Sequence, residues 1–326
     1  MRWSVLISCM VLLNCSSAVV ETDRLHLEKT IPLPGVTGRI DHLAIDLQHQ
    51  TVFIAALGNN TIEVVDLRKG IVIQSIKNLH EPQGIIYLPG SNSIFVANGD
   101  NGVGYVFNAT DFSLTHSIQL PGDADNVRYD SAENKIYVGY GSGGIALIDA
   151  NTFQETGDIK LSGHPESFQL DKSESKIYVN VPDEHEVDMI DLKTSMVGAH
   201  WHPQARSNFP MAIDETNHRV FIGCRNPAKL EVLDSRSGKN IASLDCARDA
   251  DDIFFNREKK EIYVSCGAGY LDVFKQNDAD HYEFEGRTST RSGARTSLFI
   301  PDLNQLIVAA PASLSLSASL FVYSIK

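Results

Sequence analysis

Seven positions, spaced 41 to 44 residues apart, carry side chains that could form a metal site if the chain folds into a ring. Four of them are acids, and in chain order the seven are Asp41, Gln83, Asp125, Glu166, Phe209, Asp251 and Arg295. Carboxylate oxygens are the ligands that Ca²⁺ prefers, and a histidine nitrogen would favour Mn²⁺ or Zn²⁺. The predicted metal ligands are therefore Asp41, Asp125, Glu166 and Asp251, with His42 added for Mn²⁺ or Zn²⁺.

Polar side chains beside these acids extend the candidate site. His42, Asn126 and Asp252 directly follow ring positions, and His164 precedes Glu166 by two residues. Crowded carboxylates repel one another, which raises the pKa of some of them and would supply a general base. The competing interpretation is that the acids accept hydrogen bonds from loop N–H groups and face a water-filled channel.

Arginines occur in the same loops as the ring acids or close to them. Arg39, Arg206 and Arg295 fall in the same class of loop, and Arg225 follows the second strand of the fifth repeat. They could hold a carboxylate or phosphate through bidentate hydrogen bonds. Neutralisation of the ring acids is the favoured alternative, because clustered charges are normally paired. The predicted ligand-binding residues are Arg39, Asp41, His42, Asp125, Asn126, His164, Glu166, Arg206, Asp251, Asp252 and Arg295.

Three cysteines, Cys224, Cys246 and Cys266, lie in neighbouring repeats. In an oxidising compartment the sequence predicts a disulfide from Cys246 to either Cys224 or Cys266. The alternative is three small buried apolar side chains. A three-thiolate metal site would lack the Cys-x-x-Cys spacing typical of such sites.

Two further patterns bear on chemistry. His200 and His202 flank Trp201, so both would share one strand face, although a loop between repeats also explains them. The sequence has no Gly-x-Ser-x-Gly, Gly-rich phosphate loop, His-Glu-x-x-His or Cys-x-x-Cys-His motif. A binding protein is therefore favoured over an enzyme, while a catalytic site assembled from distant loops stays open.

Seven repeats must position these residues. A triplet centred twelve residues after each ring position marks them: Val52-Phe53-Ile54, Ile94-Phe95-Val96, Ile136-Tyr137-Val138, Ile177-Tyr178-Val179, Val220-Phe221-Ile222, Ile262-Tyr263-Val264 and Leu306-Ile307-Val308. In the first repeat the predicted strands are His42–Asp46, Thr51–Ala56, Thr61–Asp66 and Ile71–Ile76, separated by turn residues. Four antiparallel strands in about 42 residues are typical of one propeller blade.

The predicted fold class is therefore all-β, a seven-bladed β-propeller with four-stranded blades over residues 19–326 as one domain. The last repeat has only three strands, while Arg24–Leu33 alternates in the manner of a strand ahead of the first repeat. We expect this N-terminal strand to complete the last blade and close the ring, because closure removes an exposed edge.

Recurring Ile-Tyr-Val-Gly/Asn/Ser and Val-Val-Asp-Leu phrases over residues 24–326 resemble the YVTN-type propeller repeats of the YncE-like exported proteins. The repeat that matches this pattern best is the first, from Arg39-Ile40-Asp41-His42 through Ala56-Leu57-Gly58-Asn59-Asn60. The resemblance implies a β-propeller fold, and it implies a binding function because most members of the group are binding proteins. Related propellers bind metals, haem or quinones, and some hydrolyse lactones, so the fold does not choose among these functions.

Charge and composition narrow the partner and the compartment. The chain has 28 Lys+Arg against 41 Asp+Glu, a formal net charge of -13, which disfavours nucleic acid as a partner. An apolar run from Val5 to Leu13, followed by Ser16-Ser17-Ala18, predicts a secretory signal peptide over residues 1–18, with a lipoprotein anchor at Cys15 as the alternative. No later segment has the ~18 apolar residues of a membrane span. We expect a secreted or periplasmic monomer.

These observations predict a binding or interaction module. Its ligand, a protein or a small molecule, would lie at the mouth of the central channel, between loops near residues 39–42, 123–126, 164–166 and 249–252. The first alternative is a metal-dependent hydrolase or lactonase that uses the channel carboxylates. The second is a propeller that carries a cofactor or transfers electrons.

Overall fold

The computed structural model describes residues 21–326, which form 28 strands in seven four-stranded antiparallel sheets. The predicted signal peptide and Cys15 lie outside the described residues. Blade one comprises β2 (Leu43–Asp46), β3 (Thr51–Ala56), β4 (Thr61–Asp66) and β5 (Ile71–Ile76), hydrogen-bonded in that order. All four match the predicted strands to within one residue.

Blades two to six repeat this order, with the first strand innermost. Blades two and three are β6 (Pro82–Leu88), β7 (Ser93–Asn98), β8 (Val103–Asn108), β9 (Leu114–Gln119), β10 (Ala124–Asp130), β11 (Lys135–Tyr140), β12 (Gly144–Asp149) and β13 (Glu155–Lys160). Blade four is β14 (Phe168–Asp171), β15 (Lys176–Val181), β16 (Glu186–Asp191) and β17 (Met196–Trp201). Blades five and six are β18 (Arg206–Asp214), β19 (Arg219–Asn226), β20 (Ala228–Asp234), β21 (Asn240–Asp245), β22 (Ala250–Asn256), β23 (Glu261–Cys266), β24 (Tyr270–Gln276) and β25 (Tyr282–Ser289).

Blade seven closes the ring as the sequence predicts. It contains β26 (Thr296–Ile300), β27 (Gln305–Ala310), β28 (Ser319–Ile325) and, outermost, β1 (Leu25–Pro32). Strand β1 runs antiparallel to β28, with Leu25 opposite Ile325 and Pro32 opposite Ser319. The first strand of residues 21–326 therefore completes the sheet that the last three begin, and this confirms the predicted closure.

The second strand of each blade is buried on both faces because neighbouring blades stack against it. In β3 the five residues from Val52 to Ala56 are all buried, whereas only one residue of the outer strand β5, Ile76, is buried. Buried apolar side chains form seven clusters, one at each junction between blades. The cluster between blades one and two, for example, joins Phe53 to Ile85. The triplets are thus the core of the ring.

Aspartates that recur at strand ends close the turns. Asp130 Oδ1, at the end of β10, accepts a hydrogen bond of 2.9 Å from the backbone N–H of Ala132. Asp149 Oδ1, at the end of β12, accepts one of 3.0 Å from Asn151 N. These are Asx turns, in which a short carboxylate takes the place of a backbone acceptor. The strand-end acids therefore have a structural role, distinct from that of the ring acids.

Within residues 21–326 there is no helix long and apolar enough to cross a membrane. The helices found there are two single 3₁₀ turns, Leu57–Asn59 and Pro301–Leu303.

Candidate functional site

The loops before the innermost strands and after the second strands surround a cavity of about 460 Å³ at one end of the channel. Six of the predicted site residues line it: Arg39, Asp125, His164, Glu166, Asp251 and Arg295. Further lining residues are Leu57, Glu81, Gln83, Asp123, Phe209 and Arg225. The repeat register thus brings together side chains that are up to 256 residues apart in the sequence.

A narrow recess of about 20 Å³ adjoins this cavity and shares several of its walls. Three more predicted site residues, Asp41, His42 and Asn126, line the recess. Asp41 and Asn126 are buried there, at 2 and 3 % exposure. The recess is therefore the deepest part of the mouth.

One side of the mouth, which we call the arginine half, consists of Arg225, Arg295, Asp249 and Asp251. Arg295 Nη1 donates to both carboxylate oxygens of Asp249, at 2.9 Å each. Arg225 Nη2 donates to Asp251, and its Nε donates to the Ala250 carbonyl at 2.9 Å. Each acid here has a guanidinium partner, as the neutralisation interpretation predicts.

An aromatic residue holds Arg225 in place. Its guanidinium carbon lies 3.7 Å from the centre of the Phe209 ring, within the range of a cation–π contact. Phe209 occupies the ring position that carries acids in other blades. The fifth blade therefore contributes a stacking surface in place of a carboxylate.

The opposite side, which we call the acidic half, consists of Asp41, His42, Asp125, His164 and Glu166. His42 Nε2 lies 3.7 Å from Asp41 Oδ1 and 3.8 Å from Asp125 Oδ1. His164 Nε2 lies 3.9 Å from Glu166 Oε1. These separations are too long for hydrogen bonds. In the described part of the chain, no lysine or arginine makes an ion pair with Asp125 or Glu166.

Arg39 stands at the edge of the acidic half. Its Nη2 lies 2.8 Å from Asp41 Oδ2 without the angle of a hydrogen bond, so that buried oxygen lacks a hydrogen-bond donor. Asp125 Oδ1 and Asn126 Oδ1 are likewise buried without a donor. All three oxygens belong to residues that line the recess, and only that of Asp41 has a cation beside it. A buried acceptor without a donor is costly unless a cation or water completes it.

Burial also changes the acidity of this half. Burial, followed by repulsion from Asp41, raises the pKa of Asp125 well above its usual range. Burial and then repulsion from Asp251 raise the pKa of Glu166 to about 7. Both shifts arise because a carboxylate loses hydration here without gaining a full counter-charge.

Two groups in this half could hold a metal ion. The first group contains Asp41, His42 and Asp125, and the second contains Asp125, His164 and Glu166. In each group the ligand atoms lie within 4.8 Å of one another. Asp125 belongs to both. The four-carboxylate set predicted from the sequence also contains Asp251, which the structure places in the arginine half.

Two predicted site residues lie away from the mouth. Arg206 is exposed at the start of β18 and lines neither the cavity nor the recess. Asp252 lines a separate cavity of about 310 Å³ between the inner strands, where its Oδ2 accepts a bond of 2.6 Å from Ser297 N. Burial raises the pKa of Asp252 well above its usual value.

Arg128 faces Asp252 across this inner cavity, and sequence reasoning missed it. Burial lowers the pKa of Arg128, and attraction to Asp252 opposes the shift. Arg128 lies nine residues before the triplet centre, where other blades carry Ala44, Ile86 or Phe254. The sequence signal that could have identified Arg128 was a charged residue at a repeat position that is apolar in most blades.

The three cysteines lie in or between blades five and six. Cys224, Cys246 and Cys266 are free thiols in this structure, and Cys224 and Cys266 are buried. Contact with the Cys246 thiol, more than burial, raises the pKa of Cys266 well above its usual value. Burial raises the pKa of Cys224 as well. The disulfide from Cys246 stays a prediction.

The paired histidines separate in the structure. His200 Nδ1 lies 2.7 Å from Asp188 Oδ1, whereas His202 Nδ1 lies 3.0 Å from the His185 carbonyl. His200 belongs to β17, and His202 follows that strand. The two side chains therefore have different partners and do not form one dipeptide site.

No protein-family model matches the sequence, and no curated protein matches it. A chain in a crystal structure of the mitotic checkpoint complex is similar in fold, with a TM-score of 0.79 over 100% of this chain and 99% of that chain, at 12% sequence identity. At this identity the similarity concerns the fold alone. The comparison agrees with the observed strand order and identifies the chain as a seven-bladed β-propeller.

Proposed function

We propose that this protein is an exported binding propeller that takes a divalent cation in the acidic half of its channel mouth. Asp125 carries the proposal. It is 7 % exposed, one of its oxygens has no hydrogen-bond donor, and it belongs to both candidate metal groups. A bound cation would supply the counter-charge that this buried carboxylate lacks.

The distances from His42 to two neighbouring carboxylates suit a shared metal ion better than hydrogen bonds. Its Nε2 lies 3.7 and 3.8 Å from one oxygen of Asp41 and one of Asp125. Two ligands of an ion bonded at ~2.1 Å can lie up to about 4.2 Å apart. Asp41, His42 and Asp125 are therefore the proposed ligands, and the Asn126 amide oxygen lies in the same recess.

The donor set favours Mn²⁺ or Zn²⁺ over Ca²⁺, because a ring nitrogen takes part and Ca²⁺ prefers oxygen ligands alone. The larger cavity above the recess leaves room for a small molecule that would bind the cation directly. The arginine half would face the other end of that molecule.

The proposal is tested by titrating chelator-treated protein with Zn²⁺, Mn²⁺ and Ca²⁺ in a calorimeter. We expect binding of Zn²⁺ or Mn²⁺ that Asp125→Asn weakens by about 100-fold or more, since loss of even a supporting contact costs 10 to 100-fold. The matched control is Asp302→Asn, at an exposed acid far from the mouth. Equal affinities in the wild type and Asp125→Asn at every site would overturn the proposal.

A metal-dependent hydrolase is the second candidate, and Glu166 favours it. Its pKa of about 7 would allow the carboxylate to take a proton from water near neutral pH. Hydrolysis of a lactone panel in the presence of Zn²⁺ or Mn²⁺ tests this activity. We expect Glu166→Gln to lower turnover by 10²-fold or more while lowering cation affinity far less.

A further inference from the structure

A second cluster of metal-ligating side chains lies in blade four, away from the channel mouth. Glu186 and Asp188 are two residues apart on β16, so their side chains point to the same face of the sheet. His200 on β17 is directly opposite Asp188 in the antiparallel pairing. The sheet itself therefore brings two carboxylates and one imidazole to a single spot.

The three side chains are in contact distance. His200 Nδ1 lies 2.7 Å from Asp188 Oδ1 and 3.4 Å from Glu186 Oε1. Ser162 Oγ, from the loop after blade three, donates to the same Glu186 oxygen at 2.7 Å. The ligand atoms of Glu186, Asp188 and His200 lie within 4.8 Å of one another.

Asp188 is fully buried, at 0 % exposure, and its Oδ2 has no hydrogen-bond partner. Burial raises the pKa of Asp188 to about 6. Among the described residues, no lysine or arginine pairs with either Asp188 or Glu186. Two buried carboxylates thus share one histidine, which leaves the cluster short of positive charge.

In other blades an acid at the same strand position has different partners. Glu63 in blade one accepts from two hydroxyl groups, at 2.7 and 2.8 Å. Glu231 in blade five accepts from two backbone N–H groups and an amide. Asp272 in blade six accepts from Arg287 at 2.9 Å. Only blade four places a second acid two residues earlier in the strand, so the pattern is specific to that blade.

We propose that Glu186, Asp188 and His200 bind a divalent transition-metal ion, with Zn²⁺ as the fitting case. Imidazole nitrogen and carboxylate oxygen are both ligands of Zn²⁺, and three such ligands leave a fourth position for water or another molecule. His200 is half-exposed, so the ion would be open to solvent on that side. Binding would replace the proton shared between His200 and Asp188, and that proton would leave to solvent.

The site is independent of the channel mouth, and its test is a Zn²⁺ titration of the full chain in four forms. These are the wild type, His200→Gln, Asp125→Asn and the double variant. We expect His200→Gln to remove one Zn²⁺ equivalent and to leave the mouth equivalent in place. Asp125→Asn, which affects only the mouth, should retain the blade-four equivalent even if the mouth binds no ion in the wild type.

The matched control is His202→Gln, since His202 is an exposed neighbour whose ring contacts the backbone of His185. Its Zn²⁺ stoichiometry should equal that of the wild type. In a parallel titration with Co²⁺, the visible absorption of the blade-four ion should disappear with His200→Gln and persist with His202→Gln. Metal-free melting temperatures establish that the variants are folded. Unchanged stoichiometry and an unchanged Co²⁺ spectrum in His200→Gln would overturn the proposal.

Discussion

The two halves of the channel mouth contain acids of the same kind in different electrostatic states. In the arginine half, Asp249 and Asp251 each have a guanidinium partner. In the acidic half, Asp125 and Glu166 form no ion pair with a lysine or arginine among the described residues, and their histidine neighbours lie 3.8 and 3.9 Å away. The number of carboxylates therefore says less about cation binding than the number left uncompensated.

The largest expected effect concerns Glu166, whose pKa of about 7 lies above the ordinary 4.5. The folded protein holds this proton more tightly than the unfolded chain, so stability falls as pH rises from about 4.5 to about 7. A shift of this size corresponds to about 3 kcal/mol. Glu166→Gln removes that loss, so its stability relative to the wild type should rise by up to about 3 kcal/mol across this range.

Denaturant unfolding in the presence of chelator, at pH 4.5 and pH 8, measures this difference. Glu155→Gln, at an exposed position on the outer strand β13, is the control and should differ from the wild type equally at both pH values. A Glu166→Gln difference that is flat with pH would show that the acidic half is compensated after all.

The next effect is expected in the arginine half. Arg225→Ala leaves Asp251 with only a distant contact to Arg295, at 3.7 Å, and removes the stacking on Phe209. We expect a loss of about 2 kcal/mol in the free energy of unfolding, below the roughly 3 to 5 kcal/mol for a broken fully buried pair, because this pair is only partly buried.

Arg206→Ala provides the matched comparison, because Arg206 is exposed and outside the cavity. Its effect should stay within about 0.5 kcal/mol, as for most surface changes. Chemical denaturation of both variants at pH 7 gives the answer. Equal losses would mean that the pairing in the arginine half contributes nothing special to stability.

The smallest effect distinguishes the two metal groups within the acidic half. His42→Gln should weaken Zn²⁺ binding at the mouth by about 30-fold, and His164→Gln by about threefold, if Asp41, His42 and Asp125 hold the ion. Calorimetric titration in a His200→Gln background isolates the mouth. The reverse order of effects would place the ion on the side of His164 and Glu166.

The sequence predicted the architecture because each blade repeats one pattern of buried and turn residues. The triplets, the strand-end aspartates and the seven ring positions all lie where their spacing puts them, and even the closing strand was visible as an alternating segment. Nine of the predicted site residues line the cavity or its recess. Backbone register is a local property that spacing records well.

Charge pairing was harder to predict, because it depends on where long side chains end. Arg39 and Arg206 were predicted to lie in the same class of loop, yet only Arg39 reaches a ring acid, Asp41. His200 was matched with His202 by sequence proximity, whereas its partner Asp188 comes from the neighbouring strand. An alignment of the third strands of the seven blades would have revealed that only blade four has two acids, Glu186 and Asp188, in this strand at a spacing of two residues.

The joining of β1 to β28 has a consequence for the order of assembly. Strand β1 emerges from the ribosome before the other strands described in residues 21–326, but its partner is made after six blades are complete. Until then β1 has an open edge, and the gap between blades six and one has no blade to fill it. Ring closure therefore waits until residues 319–325 have been made. A chain that is interrupted before them would leave β1 unpaired.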